Sequence, residues 1–184
     1  RALENKALDY IRRDPTVHSV RQFVREYYDS ERFDQVKQAV DTRAELRAEL
    51  HAELEDAYLR SVQANPTKEK IMGYLREYPQ SERLSEVAQA AASRPEVLGE
   101  VQPAIEQAIL ARAQAATLPA QLENLLPALE SLDGSAALDK MQEIVAQKPQ
   151  LKKEMMPQLR GAAERVRDLK EKHLSQNDTD GDGV

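Results

Sequence analysis

The sequence contains no cysteine and no tryptophan, and only 4% of its 184 residues are aromatic. The absence of cysteine excludes disulfides, thiolate metal ligands and thiol nucleophiles. The six glycines form no phosphate-binding loop, and no Gly-x-Ser-x-Gly segment occurs. A membrane-spanning helix needs an apolar run of about 18 residues or more, and the sequence has none.

The net charge is −6, and the mean hydropathy is −0.67. An acidic chain repels nucleic-acid phosphates, and no cluster of lysine and arginine offsets that repulsion here. We therefore expect protein partners and no nucleic acid. Whether the chain resides in a reducing or an oxidising compartment is left open, because a cysteine-free protein suits both.

The residues that are abundant favour α-helix. Alanine, leucine, glutamate, glutamine, arginine and lysine dominate, and no alternating run of β-branched residues suggests a strand. The predicted fold class is all-α.

The sequence repeats itself. Asp14–Ala64 matches Asn65–Ala115 at a shift of 51 residues, with Arg25-Glu26-Tyr27 falling on Arg76-Glu77-Tyr78. Asn65–Arg112 matches Pro119–Val166 at a shift of 54 residues. A period of this size indicates stacked repeats. The prediction is a helical-repeat solenoid of about three three-helix units.

The repeat divides the chain into five segments. Residues 1–13 match residues 52–64, so we expect them to be the last helix of an earlier repeat or an N-terminal cap. The following segments are repeat 1 (14–64), repeat 2 (65–118), repeat 3 (119–174) and an acidic tail (175–184).

Each repeat is expected to hold helices A, B and C, with apolar residues three or four positions apart facing the core. The expected core positions are Val20, Phe23, Val24, Tyr27, Phe33, Val36 and Val40 in repeat 1, Ile71, Tyr74, Leu75, Tyr78, Leu84, Val87, Ala91, Val97, Val101, Ile105 and Ile109 in repeat 2, and Leu125, Ala128, Leu129, Leu132, Leu138, Met141, Val145, Leu159, Ala163, Val166 and Leu169 in repeat 3.

Three local expectations concern helix ends. Repeat 1 has no proline between its helices B and C, which favours one fused helix from Ser30 to Ala64. Ser81 is the expected N-cap of helix B in repeat 2. The sequence leaves open whether Pro103 and Pro157 kink helix C or split it.

The tail has aspartates at alternate positions. Asp178, Asp180 and Asp182, with Gly181 allowing a sharp turn, match the first half of a calcium-binding loop. Asp178–Val184 also resembles the opening of a thrombospondin type-3 repeat. That resemblance implies that these three aspartates bind Ca²⁺. It also implies an extracytoplasmic protein whose calcium-binding stretch continues past Val184.

A second resemblance lies in helix A and its turn. The segment from Tyr74 to Ser81 is similar to the aromatic-x-x-x-Tyr-Pro-x-Ser turn of tetratricopeptide-type repeats in bacterial envelope lipoproteins. Those repeats have two helices, whereas a three-helix unit is closer to armadillo- or HEAT-like solenoids. The resemblance implies a helical-repeat protein of the cell envelope.

No catalytic constellation is apparent. His18, His51 and His173 are the only histidines, and none adjoins a recognised nucleophile motif. The six tyrosines, Tyr10, Tyr27, Tyr28, Tyr58, Tyr74 and Tyr78, mostly occupy core spacing. We expect no enzyme, no catalytic residue and no cofactor other than calcium.

Two functions remain after these exclusions. The preferred one is a structural scaffold, a helical-repeat stalk or interaction surface of a larger extracytoplasmic protein in the periplasm, outer membrane or cell surface, with self-association into longer arrays. The alternative is an intracellular peptide-binding adaptor. Its candidate ligand-binding residues, Lys68, Lys70 and Arg76, become Leu122, Asn124 and Glu130 in repeat 3, which argues against a repeated ligand code.

Overall fold

The computed structural model describes residues 2–30 and 32–178, with side chains up to residue 172. Every regular element in these residues is an α-helix, which confirms the predicted all-α class. The eleven helices of the described residues are α1 Ala2–Arg13, α2 Val17–Glu26, α3 Phe33–Asp41, α4 Ala44–Ala64, α5 Lys68–Glu77, α6 Leu84–Ala92, α7 Pro95–Ala115, α8 Pro119–Glu123, α9 Leu126–Ser131, α10 Ser135–Ala146 and α11 Pro149–Asp178.

The helices form two compact units, and the division falls between Pro66 and Thr67. Unit 1 contains α1 to α4, and unit 2 contains α5 to α11.

Unit 1 is organised around the pair α2–α3. Both helices pack against α1 and also against α4. The core they share is made of the buried residues Leu8, Ile11, Val20, Phe23, Val24, Phe33, Val36, Val40, Leu50, Leu54 and Ala57. Each large aliphatic or aromatic side chain buried in this way contributes roughly 1.5–3 kcal/mol. The apolar stripe predicted for repeat 1 is therefore confirmed, except that Tyr27 is only half-buried.

Helices B and C of repeat 1 are separate, so the prediction of one helix from Ser30 to Ala64 is wrong. Thr42 donates its hydroxyl to the carbonyl of Ala39 at 2.7 Å, and Arg43 adopts an extended backbone with φ −125° and ψ 101°. The side chain and the extended residue end α3 without a proline.

Repeat 2 has the same break. Ser93 donates its hydroxyl to the carbonyl of Ala90 at 2.7 Å, and Arg94 is extended with φ −134° and ψ 94°. The alignment of Thr42-Arg43 with Ser93-Arg94 at the shift of 51 residues was a signal for this break.

In unit 2, α5 and α6 pack against α7, and α6 also contacts α9. Helix α10 contacts both α7 and α11, and α11 further contacts α8 and α9. The predicted core positions of repeats 2 and 3 are buried, with three partly exposed exceptions, Leu75, Val97 and Ala163. The prediction is wrong at Leu169, which is 49% exposed.

Helix A of repeat 3 departs from the three-helix plan, because it consists of the two short helices α8 and α9. Pro127, the second residue of α9, has no N–H to donate to the carbonyl four residues earlier. Leu122, Leu125 and Leu129 are buried all the same. The proline changes the helix boundaries and leaves the apolar face intact.

Pro103 and Pro157 do not split helix C. Each lies inside one continuous helix, α7 or α11, and each is exposed to solvent.

The predicted N-cap at Ser81 is wrong, because α6 begins at Leu84 with Arg83 at the N-cap position. Ser81 is buried instead, where its Oγ accepts the Arg83 N–H at 3.0 Å. The same Oγ is hydrogen-bonded to the Tyr74 hydroxyl at 2.8 Å. Ser81 therefore fixes the turn between α5 and α6 from inside the core.

Candidate interaction surface

The aspartates predicted to bind calcium fall outside the described side chains. The backbone of α11 is described up to Asp178, whose side chain is not, and Asp180 and Asp182 lie outside the described residues. In residues 2–30 and 32–172, no group of three histidine, aspartate or glutamate side chains is placed to hold a metal ion.

The described histidines lie on the surface. His18 and His51 are exposed, and the side chain of His173 is outside the described residues. His18 contributes to the wall of a groove in unit 1.

That groove lies between α1 and α2 and has a volume of about 510 Å³. Leu3, Ala7 and Tyr10 line it from α1, and Phe23 and Tyr27 line it from α2 and the residue after it. Leu3 is 75% exposed and Tyr10 is 57% exposed. The first helix of the chain thus presents large apolar side chains to solvent along one wall.

Polar side chains surround this apolar groove. Thr16 and Ser19 form a reciprocal cap at the start of α2, with the Ser19 N–H donated to Thr16 Oγ1 at 3.1 Å. Further along, the Gln22 amide donates to Glu26 Oε1 at 3.2 Å. Lys6 adds a cation from α1. Apolar walls with a polar edge suit the apolar face of an amphipathic helix.

The structure separates the tyrosines into three groups. Tyr74 and Tyr78 are buried, and Tyr27, Tyr28 and Tyr58 are half-buried. These five agree with the expectation that the tyrosines mostly occupy core spacing, whereas Tyr10 alone among the six is exposed. The reason is its position on α1, at the open wall of the groove.

A charged surface lies on the other side of α2, between α2 and α4. Arg21 donates from Nε to Glu53 at 2.8 Å, and its guanidinium lies 3.7 Å from Glu49. The Arg60 guanidinium lies over the Tyr28 ring, 5.2 Å from its centroid. These exposed ion pairs position side chains and add little stability.

The pKa values of Lys68 and Arg165 are shifted. A hydrogen bond from Lys68 to Glu100, at 2.8 Å, raises the pKa of the lysine above its ordinary value. A hydrogen bond from Arg165 to Glu130, at 2.7 Å, raises the pKa of the arginine. Both cations lie in surface ion pairs of unit 2, as is typical of charged side chains that have a structural role.

Two of the residues considered for a repeated ligand code take part in separate ion pairs. Lys68 pairs with Glu100, whereas Arg76 lies 3.9 Å from Glu77. At the equivalent positions of repeat 3, Leu122 is buried and Glu130 pairs with Arg165.

Sequence reasoning missed the groove. Leu3 matches Leu54, which is buried, so the alignment indicated a core position. The signal was in the neighbours: Lys6 stands where α4 has Ala57, and Tyr10 stands where α4 has Ser61. A lysine in place of a buried alanine indicates a more open environment.

Comparison with protein-family models, with curated proteins and with solved structures finds no match for this chain. Among the described residues, no helix is both long enough and apolar enough to cross a membrane. The structure itself defines an all-α protein with an open apolar groove in unit 1.

Proposed function

We propose that the chain is a non-enzymatic helical-repeat segment, a solenoid of about three units that serves as a scaffold or interaction surface. The carrying observation is that equivalent residues make equivalent contacts. The rings of Phe23 and Tyr27 lie 5.1 Å apart in repeat 1, and those of Tyr74 and Tyr78 also lie 5.1 Å apart.

Contacts between helix C and the turn after helix A repeat as well. Ser61 donates to Asp29 at 3.1 Å, and Arg112 donates to Gln80 at 2.7 Å. Each pair is 51 residues from the other, and the residue types differ. The contact between the two positions is therefore kept although the residue types change. This is typical of a repeat that is stabilised by neighbouring helices.

A cation just before helix C supports stacking of one repeat on the helix before it. Arg43 reaches back to the carbonyl of Pro15 at 3.2 Å and to Asp14 at 3.0 Å, just after α1. At the equivalent position of repeat 3, Lys148 donates to the carbonyls of Ala113 and Ala116 at the end of α7. A cation is favourable at a helix C-terminus because the last carbonyls are negative.

An array of this kind offers side surfaces for protein partners, and its length grows with the number of repeats. The extracytoplasmic location and the calcium site at Asp178, Asp180 and Asp182 belong to the same proposal and rest on the tail resemblance. Titration calorimetry with CaCl₂ tests the tail, with the triple variant Asp178→Asn, Asp180→Asn, Asp182→Asn as control. Equal heats for both proteins would remove calcium from the proposal.

The groove of unit 1 favours the peptide-binding adaptor as the second candidate. It has apolar walls and a polar edge, as sites for amphipathic helices do.

Deletion of one repeat tests the scaffold proposal. Removing residues 65–118 joins Ala64 to Pro119, which are the last and first residues of repeats. We expect the shortened chain to keep its helical signal per residue and to unfold cooperatively. Its urea m-value should fall roughly in proportion to the length removed. Loss of cooperative unfolding would contradict the repeat architecture.

A further inference from the structure

Unit 2 shows what fills the cleft between a helix C and the helix A that follows it. Helix α6 packs against both α7 and α9. Ile105 and Ile109 of α7 are buried, as are Ala128 of α9 and Leu132, the residue after it. Helix α6 thus occupies a cleft with two apolar walls.

The groove of unit 1 has the same two walls. Applying the shift of 51 residues twice carries Arg1 to Pro103. By the same shift, Leu3 and Ala7 of α1 correspond to Ile105 and Ile109. Ala128 and Leu132 correspond to Phe23 and Tyr27, through the shifts of repeats 2 and 3. All four residues of unit 1 line the groove, which is open.

We infer that this groove is the docking site for a helix equivalent to α6, supplied by the helix A–B pair of a repeat whose helix C is α1. The inference rests on the proposed repeat architecture and extends it to a specific occupant. An exposed Leu3 would then become buried, as Ile105 is in unit 2.

The groove residues also define the chemistry of that helix. In α6, the buried face includes Ala88 and Ala91, small residues that let helices approach closely. Lys6 stands at the position of Ala108, so the helix that fits best carries a carboxylate opposite Lys6. The occupant is an amphipathic helix with a small apolar face and an acidic side chain beside it.

In the described part of α11, charged residues stand at two positions where α1 has buried apolar residues. Leu8 and Ile11 of α1 are buried in the core of unit 1, against the pair that follows α1. At the equivalent positions of α11 stand Glu164 and Arg167, both exposed. A charged face is typical of a terminal capping helix in a repeat array. Docking of further repeats of this kind is therefore directed to α1.

The chain supplies its own probe for this inference. Residues 65–102, which contain α5, α6 and the start of α7, are added in front of Arg1, because Arg1 corresponds to Pro103. The addition continues α1 at its N-terminal side and provides a copy of α6. We expect nitration of Tyr10 by tetranitromethane to slow several-fold, and amide exchange across Leu3–Tyr10 to slow as well.

A matched control carries Ala88→Asp and Ala91→Asp in the added copy only. It has the same length, and buried aspartates prevent apolar docking. We expect Tyr10 in this control to react as fast as in the original chain. If Tyr10 is nitrated at the same rate in the original chain and in the extended chain without the aspartate substitutions, the inference is overturned.

The substitution Lys6→Ala, made in the chain that carries the added residues 65–102, tests the chemistry of the groove. It places alanine where α7 has Ala108, and we expect stronger protection of Tyr10 than with Lys6 present. Sedimentation of the original chain is the remaining test. A dimer that protects Tyr10 would make a second copy the occupant and would overturn the inference.

Failure of this inference can be told from failure of the proposed function. If the chain lacking residues 65–118 folds cooperatively while Tyr10 stays reactive in the addition, only the docking site is wrong. If the shortened chain does not fold, the repeat architecture is wrong.

Discussion

The hydroxyl oxygens of Tyr74 and Ser81 lie 2.8 Å apart inside unit 2 and join α5 to the turn that follows it. In repeat 1 the position of Tyr74 is taken by Phe23, which has no hydroxyl, and Ser30 is hydrogen-bonded to Glu4 of α1. One serine position thus serves two different contacts. The repeat keeps the turn while the partner of the serine changes.

Replacing Tyr74 by phenylalanine should destabilise the protein by about 1–2 kcal/mol, because it removes a buried hydrogen bond and leaves Ser81 with one partner fewer. Urea unfolding measures the change. Tyr10→Phe is the matched control, since Tyr10 is exposed and should give no measurable change. A double-mutant cycle of Tyr74→Phe with Ser81→Ala should show coupling, and additive effects would contradict a direct interaction.

Ile105→Ala should destabilise the protein by about 2–5 kcal/mol, because Ile105 is fully buried and its truncation leaves a cavity. Thermal and urea unfolding both measure this loss. Gln107→Ala, on the exposed side of the same helix, is the control and should stay within about 0.5 kcal/mol of the parent. A small effect at Ile105 would place this residue outside the core.

Lys148→Met should destabilise the protein by about 1–2 kcal/mol, because it removes an ammonium group that donates to three carbonyls at the end of α7, those of Ala113, Gln114 and Ala116. The methionine keeps most of the aliphatic chain. Lys152→Met, at an exposed position of α11, controls for the loss of one positive charge. The prediction fails if the two variants are equally stable.

The Lys68–Glu100 pair predicts a pH dependence at the alkaline end. The hydrogen bond to Glu100 raises the pKa of Lys68 in the folded state above the ordinary lysine value. The pair therefore contributes to the stability of the fold at pH values below that ordinary value, and this contribution is lost as the pH rises through the raised pKa. NMR titration of the Lys68 side chain should show the raised pKa. Glu100→Gln should return the pKa toward its ordinary value, and an unchanged pKa would exclude Glu100 as the cause.

The all-α fold and most of the core were predictable from the sequence. Apolar residues at helical spacing are the dominant signal for a buried face, and Val36, Val87 and Met141 are buried as their spacing indicated. The break at Thr42-Arg43 was missed because neither residue is a strong helix breaker. The alignment of these residues with Ser93-Arg94, which Pro95 follows, was the available signal, and the structure shows the Thr42 hydroxyl bonded to the Ala39 carbonyl at the break.

The candidate site could be predicted only in part. The alignment of α1 with α4 predicted a helix with an apolar face, and Leu8 and Ile11 of α1 are buried. The alignment gave no information on what covers the opposite side of α1. The exposure of Leu3 and Tyr10 depends on which helices surround α1. A sequence pattern indicates which face of a helix is apolar, but not which helix packs against that face.

The central claim is that one helical unit recurs with the same packing, and exchange of units tests it most directly. Residues 65–115 are replaced by a second copy of residues 14–64, which has the same length. A second copy of residues 12–62 is the control, because its apolar stripe is displaced by two positions. We predict that the first chimera retains the helical circular dichroism signal and a single cooperative unfolding transition, and that the control loses both. Equal behaviour of the two chimeras would contradict the account.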